Sequence, residues 1–159
     1  EIAYTAGLRA HELLTLQPRS ERTPDPRPAL PTKFEGREDG SRYVVTGKGG
    51  LIREVQLPSH LAARLEAQRL ATPRPVTDRH VYYQQHYAIG GGQPWSMAVS
   101  RAAKAALGWS TGAHGLRHAY AQERVTELQT LEHSQKVANE TVSQELGHFR
   151  PEITTTYLR

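Results

Sequence analysis

The chain has 159 residues, no cysteine, and a formal net charge of +4 from 20 Lys and Arg against 16 Asp and Glu. That length suits one domain able to bury about 70% of its unfolded surface without staples, and the missing thiols exclude disulfides, thiolate zinc sites and a cysteine nucleophile. A hydrophobic content of 37% is lean but globular, 23% charged residues argue against wholesale disorder, and no apolar run nears the about 18 residues of a membrane helix. With no signal-peptide pattern at the N-terminus, a cytoplasmic domain without membrane contact is expected, its modest basic surplus compatible with a polyanionic partner.

Residues 1–16 read as a helix, with Leu8, Leu13 and Leu16 spaced by small alanines. From Gln17 to Thr32, Pro18, Pro24, Pro26, Pro28 and Pro31 alternate with Arg19, Arg22 and Arg27, which forbids a helix and predicts an extended surface connection. Lys33-Phe34 is a short strand candidate. Residues 42–46 and 52–57 follow as strands around Gly47-Lys48-Gly49-Gly50, a turn chemistry suited to a hairpin. Pro58 closes the last strand, and Ser59 reads as the N-cap of a helix to about Ala71. Thr72 to Gly92 combines Pro73, Pro75, three tyrosines and three consecutive glycines; it reads as a short helix or turn and then a loop. Ser96 caps a helix to Leu107, ended by Gly108. Further helices run from His114 to Leu131, from Asn139 to Leu146 before Gly147, and from Pro151 to Leu158, where proline suits a first turn. The sum is an α+β fold, mainly α-helical, with a small three-stranded antiparallel sheet at one edge.

Five fragments carry chemistry when taken together. Thr5-Ala6-Gly7-Leu8-Arg9-Ala10-His11-Glu12-Leu13 puts an arginine inside an apolar helix, Lys48 tips the hairpin, and His114-Gly115-Leu116-Arg117-His118 opens a helix. Leu146-Gly147-His148 follows, and then Tyr157 near the chain end. Each has a plainer account alone: Arg9 as a surface cation, Lys48 as a turn residue, His118 as a structural histidine. His114 and His118 stand at metal-pair spacing, but no third ligand accompanies them and no acidic cluster suits a divalent ion. Tyr4, Tyr43, Tyr82, Tyr83, Tyr87 and Tyr120 read as packing or surface residues, whereas Tyr157 is set apart by its place after His148.

In this order the fragments resemble the catalytic domain of the tyrosine recombinase and phage integrase family, over residues 5 to 157. The resemblance implies metal-independent and cofactor-free DNA cleavage and rejoining through a covalent 3′-phosphotyrosine, as in the integration of a mobile genetic element. It assigns Tyr157 as nucleophile, Arg9 and Arg117 as a clamp on the non-bridging oxygens, and Lys48 as general acid. His114 would accept the tyrosine proton or position the phosphate, and His148 would donate a hydrogen bond to it. Guanidinium forks suit the charge that builds on two oxygens, and a tyrosyl ester conserves the energy of the broken bond. The implied partners are double-stranded DNA at a recombination site and other recombinase subunits. Two features depart from the family: the interval from Arg117 to His148 is long, with extra polar residues from Glu127 to Gln135, and the Pro-rich stretch replaces a short connection. Residues 1–159 are expected to form the catalytic domain alone, without the N-terminal core-binding domain, and so to act weakly in isolation. A type IB topoisomerase shares the same residue types. A DNA-binding module that has lost the reaction and a histidine-based metallohydrolase are the competing classes.

Overall fold

A computed structural model describes residues 1–148 and Leu158; the helix predicted from Pro151 and Tyr157 itself lie outside the described residues. Ile2–Ala6 form α1, which Gly7 closes in the left-handed region (φ 66°, ψ 40°) with its N–H bonded to the Ala3 carbonyl. The chain then resumes as a 3₁₀ turn at His11–Thr15. The single helix expected over residues 1–16 is therefore broken, and Arg9 sits in the connection instead of inside a helix. Packing enforces the break: a Cβ on Gly7 would stand 2.8 Å from Leu146 Cδ2 and 2.9 Å from the Tyr120 ring.

Three strands, β1 (Gln17–Pro18), β2 (Ser41–Thr46) and β3 (Ile52–Leu57), form an antiparallel sheet in that order. Val44 pairs with both Gln17 and Glu54, and Thr46 pairs with Ile52 across the hairpin. The first strand is Gln17–Pro18 and not Lys33-Phe34. Phe34 has φ 60° within a run of turns, while Pro18 occupies an edge strand, where a missing N–H is tolerated. Between them the Pro-rich stretch forms no helix, as predicted, but opens with a turn in which the Glu21 and Arg22 N–H groups donate to the Pro18 carbonyl. It is pinned by Asp25, whose N–H donates to the Ile52 carbonyl at 2.9 Å, and by Leu30, whose N–H donates to Gln144 Oε1 at 2.8 Å.

Helix α2 (Ser59–Glu66) has Pro58 at its N-cap; Ser59 does not cap it but donates its hydroxyl to the Asp39 carbonyl. It stops short of Ala71 because the chain enters a second antiparallel pair, β4 (Arg69–Asp78) and β5 (Val81–Tyr87). The short helix and loop expected over residues 72–92 is thus largely a β-ribbon. Helix α3 (Gly92–Leu107) begins before Ser96, with Asp78 Oδ1 accepting the Gln93 N–H at 2.8 Å, and Gly108 ends it at φ 80° as expected. Helix α4 (Gly115–Thr130) has His114 at its N-cap. Helix α5 (Gln135–Glu145) starts earlier than Asn139 because the Ser134 hydroxyl accepts the Val137 N–H.

Two apolar clusters hold these elements. One joins Leu8, Leu13 and Leu16 to Val45, Val55 and Leu57 of the sheet, Leu65 of α2 and Tyr87 of β5. The other packs Tyr120, Val125 and Leu128 of α4 on Ala138 and Val142 of α5 and on Leu146, with Leu158 against it. The lean hydrophobic content has a counterpart here, since Glu12, Arg53, Arg117, Arg124 and Glu145 are buried as well. The architecture is the mainly helical α+β fold, with its small three-stranded sheet, that the sequence predicts. Among the described residues, no helix is long and apolar enough to cross a membrane.

Candidate active site

The site is organised around one buried carboxylate. Glu12 is fully enclosed, and its Oε2 accepts the Arg9 backbone N–H at 2.8 Å and Arg53 Nη2 at 2.7 Å. Arg9 Nη1 reaches Oε1 at 3.3 Å, and Arg117 Nη1 lies 3.9 Å from Oε2. Burial alone would raise the Glu12 pKa, but the charge and hydrogen bonds of Arg53, then the charge of Arg117, hold it down at about 2. Three guanidiniums around one carboxylate leave a net positive centre, which suits an anion.

Arg117 is fully buried at the first turn of α4. Its fork donates to the carbonyls of Gly7 and Leu146, the latter at 3.0 Å. The left-handed turn at Gly7 therefore has a chemical consequence: it aims that carbonyl at Arg117 and, at 3.4 Å, at Arg53 Nη2. Arg117 Nη2 also stands 3.4 Å from His148 Nε2. A guanidinium only donates, so Nε2 is the acceptor there and the neutral ring carries its proton on Nδ1. Burial, followed by the charges of Arg117, Arg9 and Arg53, lowers the His148 pKa to about 4. The His114 pKa is lowered too, first by burial and then by Arg117, His118 and Arg9. Its ring meets His118 edge-on at 5.6 Å between centroids. His118 itself is half-buried.

Lys48 is exposed on the turn between β2 and β3, where Gly49 and Gly50 have φ 77° and 84°. It lines a cleft of about 800 Å³ together with Arg9. The turn abuts the buried centre, because a Cβ on Gly47 would lie 3.1 Å from Glu12 Oε1. Arg9, His114, Arg117 and His148 are thus gathered around one centre, Lys48 shares the cleft with Arg9, and Tyr157 lies outside the described residues. The two arginines differ in access: the Arg9 side chain is 27% exposed, whereas Arg117 is enclosed.

Sequence reasoning missed Arg53, Glu12 and Glu145. Arg53 shares a strand face with Val55 and Leu57, both in the core, so strand parity marked it as buried. It bridges the site by donating to the Glu145 carbonyl at 2.7 Å as well as to Glu12. The Glu145 carboxylate in turn accepts from Tyr120 Oη at 2.8 Å, Phe34 N–H at 2.8 Å and Arg124 Nε at 3.1 Å, which locks α4 to the end of α5, three residues before His148 in the chain.

No protein-family model matches the chain, and no curated protein matches it. Solved structures do, among them two complexes of XerH site-specific recombinase: one bound to difH substrate before cleavage and one bound to palindromic difH substrate after cleavage. Their TM-scores are 0.57 and 0.56, each at 19% identity over 98% of this chain. The chain spans about two-fifths of their length, 40% and 39% respectively. It therefore has the fold of a tyrosine recombinase catalytic domain.

Proposed function

We propose that this chain is the catalytic domain of a site-specific tyrosine recombinase, acting on double-stranded DNA without metal or cofactor and working with other recombinase subunits. What supports this reading is the convergence of Arg9, His114, Arg117 and His148 on one cationic centre, with Lys48 lining a cleft that Arg9 shares. In this reading the Tyr157 oxygen attacks the scissile phosphorus and forms the 3′-phosphotyrosine. Arg9 and Arg117 neutralise the non-bridging oxygens, and Lys48 protonates the departing 5′-oxygen. His114, kept neutral by its surroundings, takes the phenolic proton or positions the phosphate. His148 donates to a phosphate oxygen from Nδ1. Because Arg117 is enclosed, engaging a phosphate requires a shift of the backbone carbonyls of Gly7 and Leu146 that now occupy it. A core-binding domain supplied outside residues 1–159 completes the grip on DNA.

The test is a nicked duplex that loses its short 5′ fragment on cleavage and so traps the covalent complex on a denaturing gel. A protein–DNA adduct that forms undiminished in chelator and disappears with Tyr157→Phe is expected. An adduct that survives Tyr157→Phe would identify another nucleophile, and chelator sensitivity would point to a metallohydrolase.

A further inference from the structure

The β4–β5 ribbon is built unlike the rest of the molecule. Most of β4 is exposed, and β5 buries only Gln85 and Tyr87 near its far end. Residues on β5 alternate, so Tyr83, Gln85 and Tyr87 turn inward, Tyr83 meeting His11 at 6.3 Å between rings. Tyr82, Gln84 and His86 take the opposite face, and cross-strand pairing adds Thr77 and Pro75 to it. Tyr82 is 84% exposed, an uncommon position for a tyrosine with no packing to gain. The tip is Arg79-His80, both in the left-handed region at φ 47° and 66°. Neither is the glycine or asparagine that such a turn ordinarily selects.

Location and charge identify the occupant. Arg79, Tyr82, Gln84 and His86 line the same cleft as Arg9 and Lys48. The cleft carries four permanent cations, Arg9, Arg22, Lys48 and Arg79, against one acid. That acid, Asp78, is buried and already engaged, with Oδ1 accepting the Gln93 N–H and Oδ2 3.4 Å from Arg79. The Asp78 bond anchors the ribbon tip to the start of α3, so the exposed face is held in place. A two-stranded ribbon fits the major groove of a duplex, about 12 Å wide, and hydroxyl and amide side chains can address base edges there.

We infer that this ribbon is a second DNA-contacting element, seated in the groove beside the phosphate held at Arg9 and Lys48. Arg79 would contact the backbone while Tyr82 and Gln84 face the base edges. The inference rests on the reading of the chain as a DNA recombinase domain, and it assigns to the ribbon a role that the catalytic residues do not require.

Fluorescence anisotropy with a labelled 30-base-pair mixed-sequence duplex, titrated at several salt concentrations, tests it. Arg79→Asn removes the charge and keeps a residue that tolerates positive φ; Tyr82→Ala removes the exposed ring. The double variant should weaken binding about tenfold, and the log–log salt slope should become shallower by about one, the signature of one lost phosphate contact. Melting temperature and adduct formation at saturating protein should stay as in the unaltered chain. Selection from a random duplex pool with Gln84→Ala should relax the enriched sequence at one or two positions. Unchanged affinity and slope would overturn the ribbon's role while leaving the recombinase reading intact, as would unchanged affinity with lost self-association, which would make the ribbon a protein contact. Absence of DNA binding by the unaltered chain would overturn both.

Discussion

Lys48 stands exposed on a glycine-flanked turn and lines the same cleft as Arg9. Its proposed role differs chemically from that of the arginines and can be separated from theirs. Lys48→Ala should slow cleavage by about 10²–10⁴-fold, roughly 3–5 kcal/mol of barrier. Loss of charge stabilisation would give the same number. Replacing the bridging 5′-oxygen by sulfur distinguishes the two, because a thiolate departs without a proton. Cleavage by Lys48→Ala should recover on that substrate, whereas Arg117→Ala should stay impaired; equal rescue of both would remove the general-acid assignment. This residue, with Arg9, His114, Arg117 and His148, was legible in the sequence because each sits in a short local motif. Glu12 and Arg53 were not, although they hold the motifs together. A buried ion pair is a tertiary fact, since Arg53 and Glu12 lie far apart in the chain and only the fold sets them 2.7 Å apart.

At the scale of elements, what the sequence concealed was backbone geometry. The β4–β5 ribbon carries Pro73 and Pro75 and turns through Arg79-His80, so neither strand periodicity nor turn chemistry announced it. The strand pair β2–β3, with alternating residues around a glycine-rich turn, announced itself. The glycines themselves divide into two kinds. Gly49 has φ 77° and open space where a Cβ would go, so Gly49→Ala should cost only the left-handed penalty, about 1 kcal/mol. Gly147 has φ 79°, and a Cβ there would fall 2.7 Å from Arg53 Cδ. Arg53 cannot swing aside without abandoning Glu12 and the Glu145 carbonyl. Gly147→Ala should therefore cost about 2–4 kcal/mol, in the range of a broken buried network. Urea unfolding of the two variants checks the difference, and equal losses would mean that Arg53 is not held as tightly as its bonds imply.

For the whole molecule, the buried cationic centre sets how stability responds to pH, and the proposed DNA binding should respond in the opposite direction. His148 falls from its ordinary 6.5 to about 4 in the folded chain, chiefly through burial and then Arg117. Glu12 falls from 4.5 to about 2 because its arginine partners outweigh burial. Each group binds its proton less readily when folded than when unfolded, so acid favours the unfolded chain. The His148 contribution is complete above pH 6.5 and is lost between there and about 4; the Glu12 contribution is lost between about 4.5 and 2. The melting temperature should thus be level just above neutrality, decline below pH 6.5 as His148 takes up its proton, and go on declining below 4.5 as Glu12 does. His148→Asn should make the first stage shallower, leaving the part that His114 contributes, and leave the second unchanged. A phosphate seated among Arg9, Arg117 and His148 reverses the sign for binding, because its negative charge favours imidazolium and raises the His148 pKa. If the chain binds DNA as proposed, binding is accompanied by proton uptake, and affinity should rise as pH falls from 7.5 to 5.5 while thermal stability falls. Parallel anisotropy and melting measurements over that interval check both slopes. An affinity that falls with stability would place the phosphate away from His148.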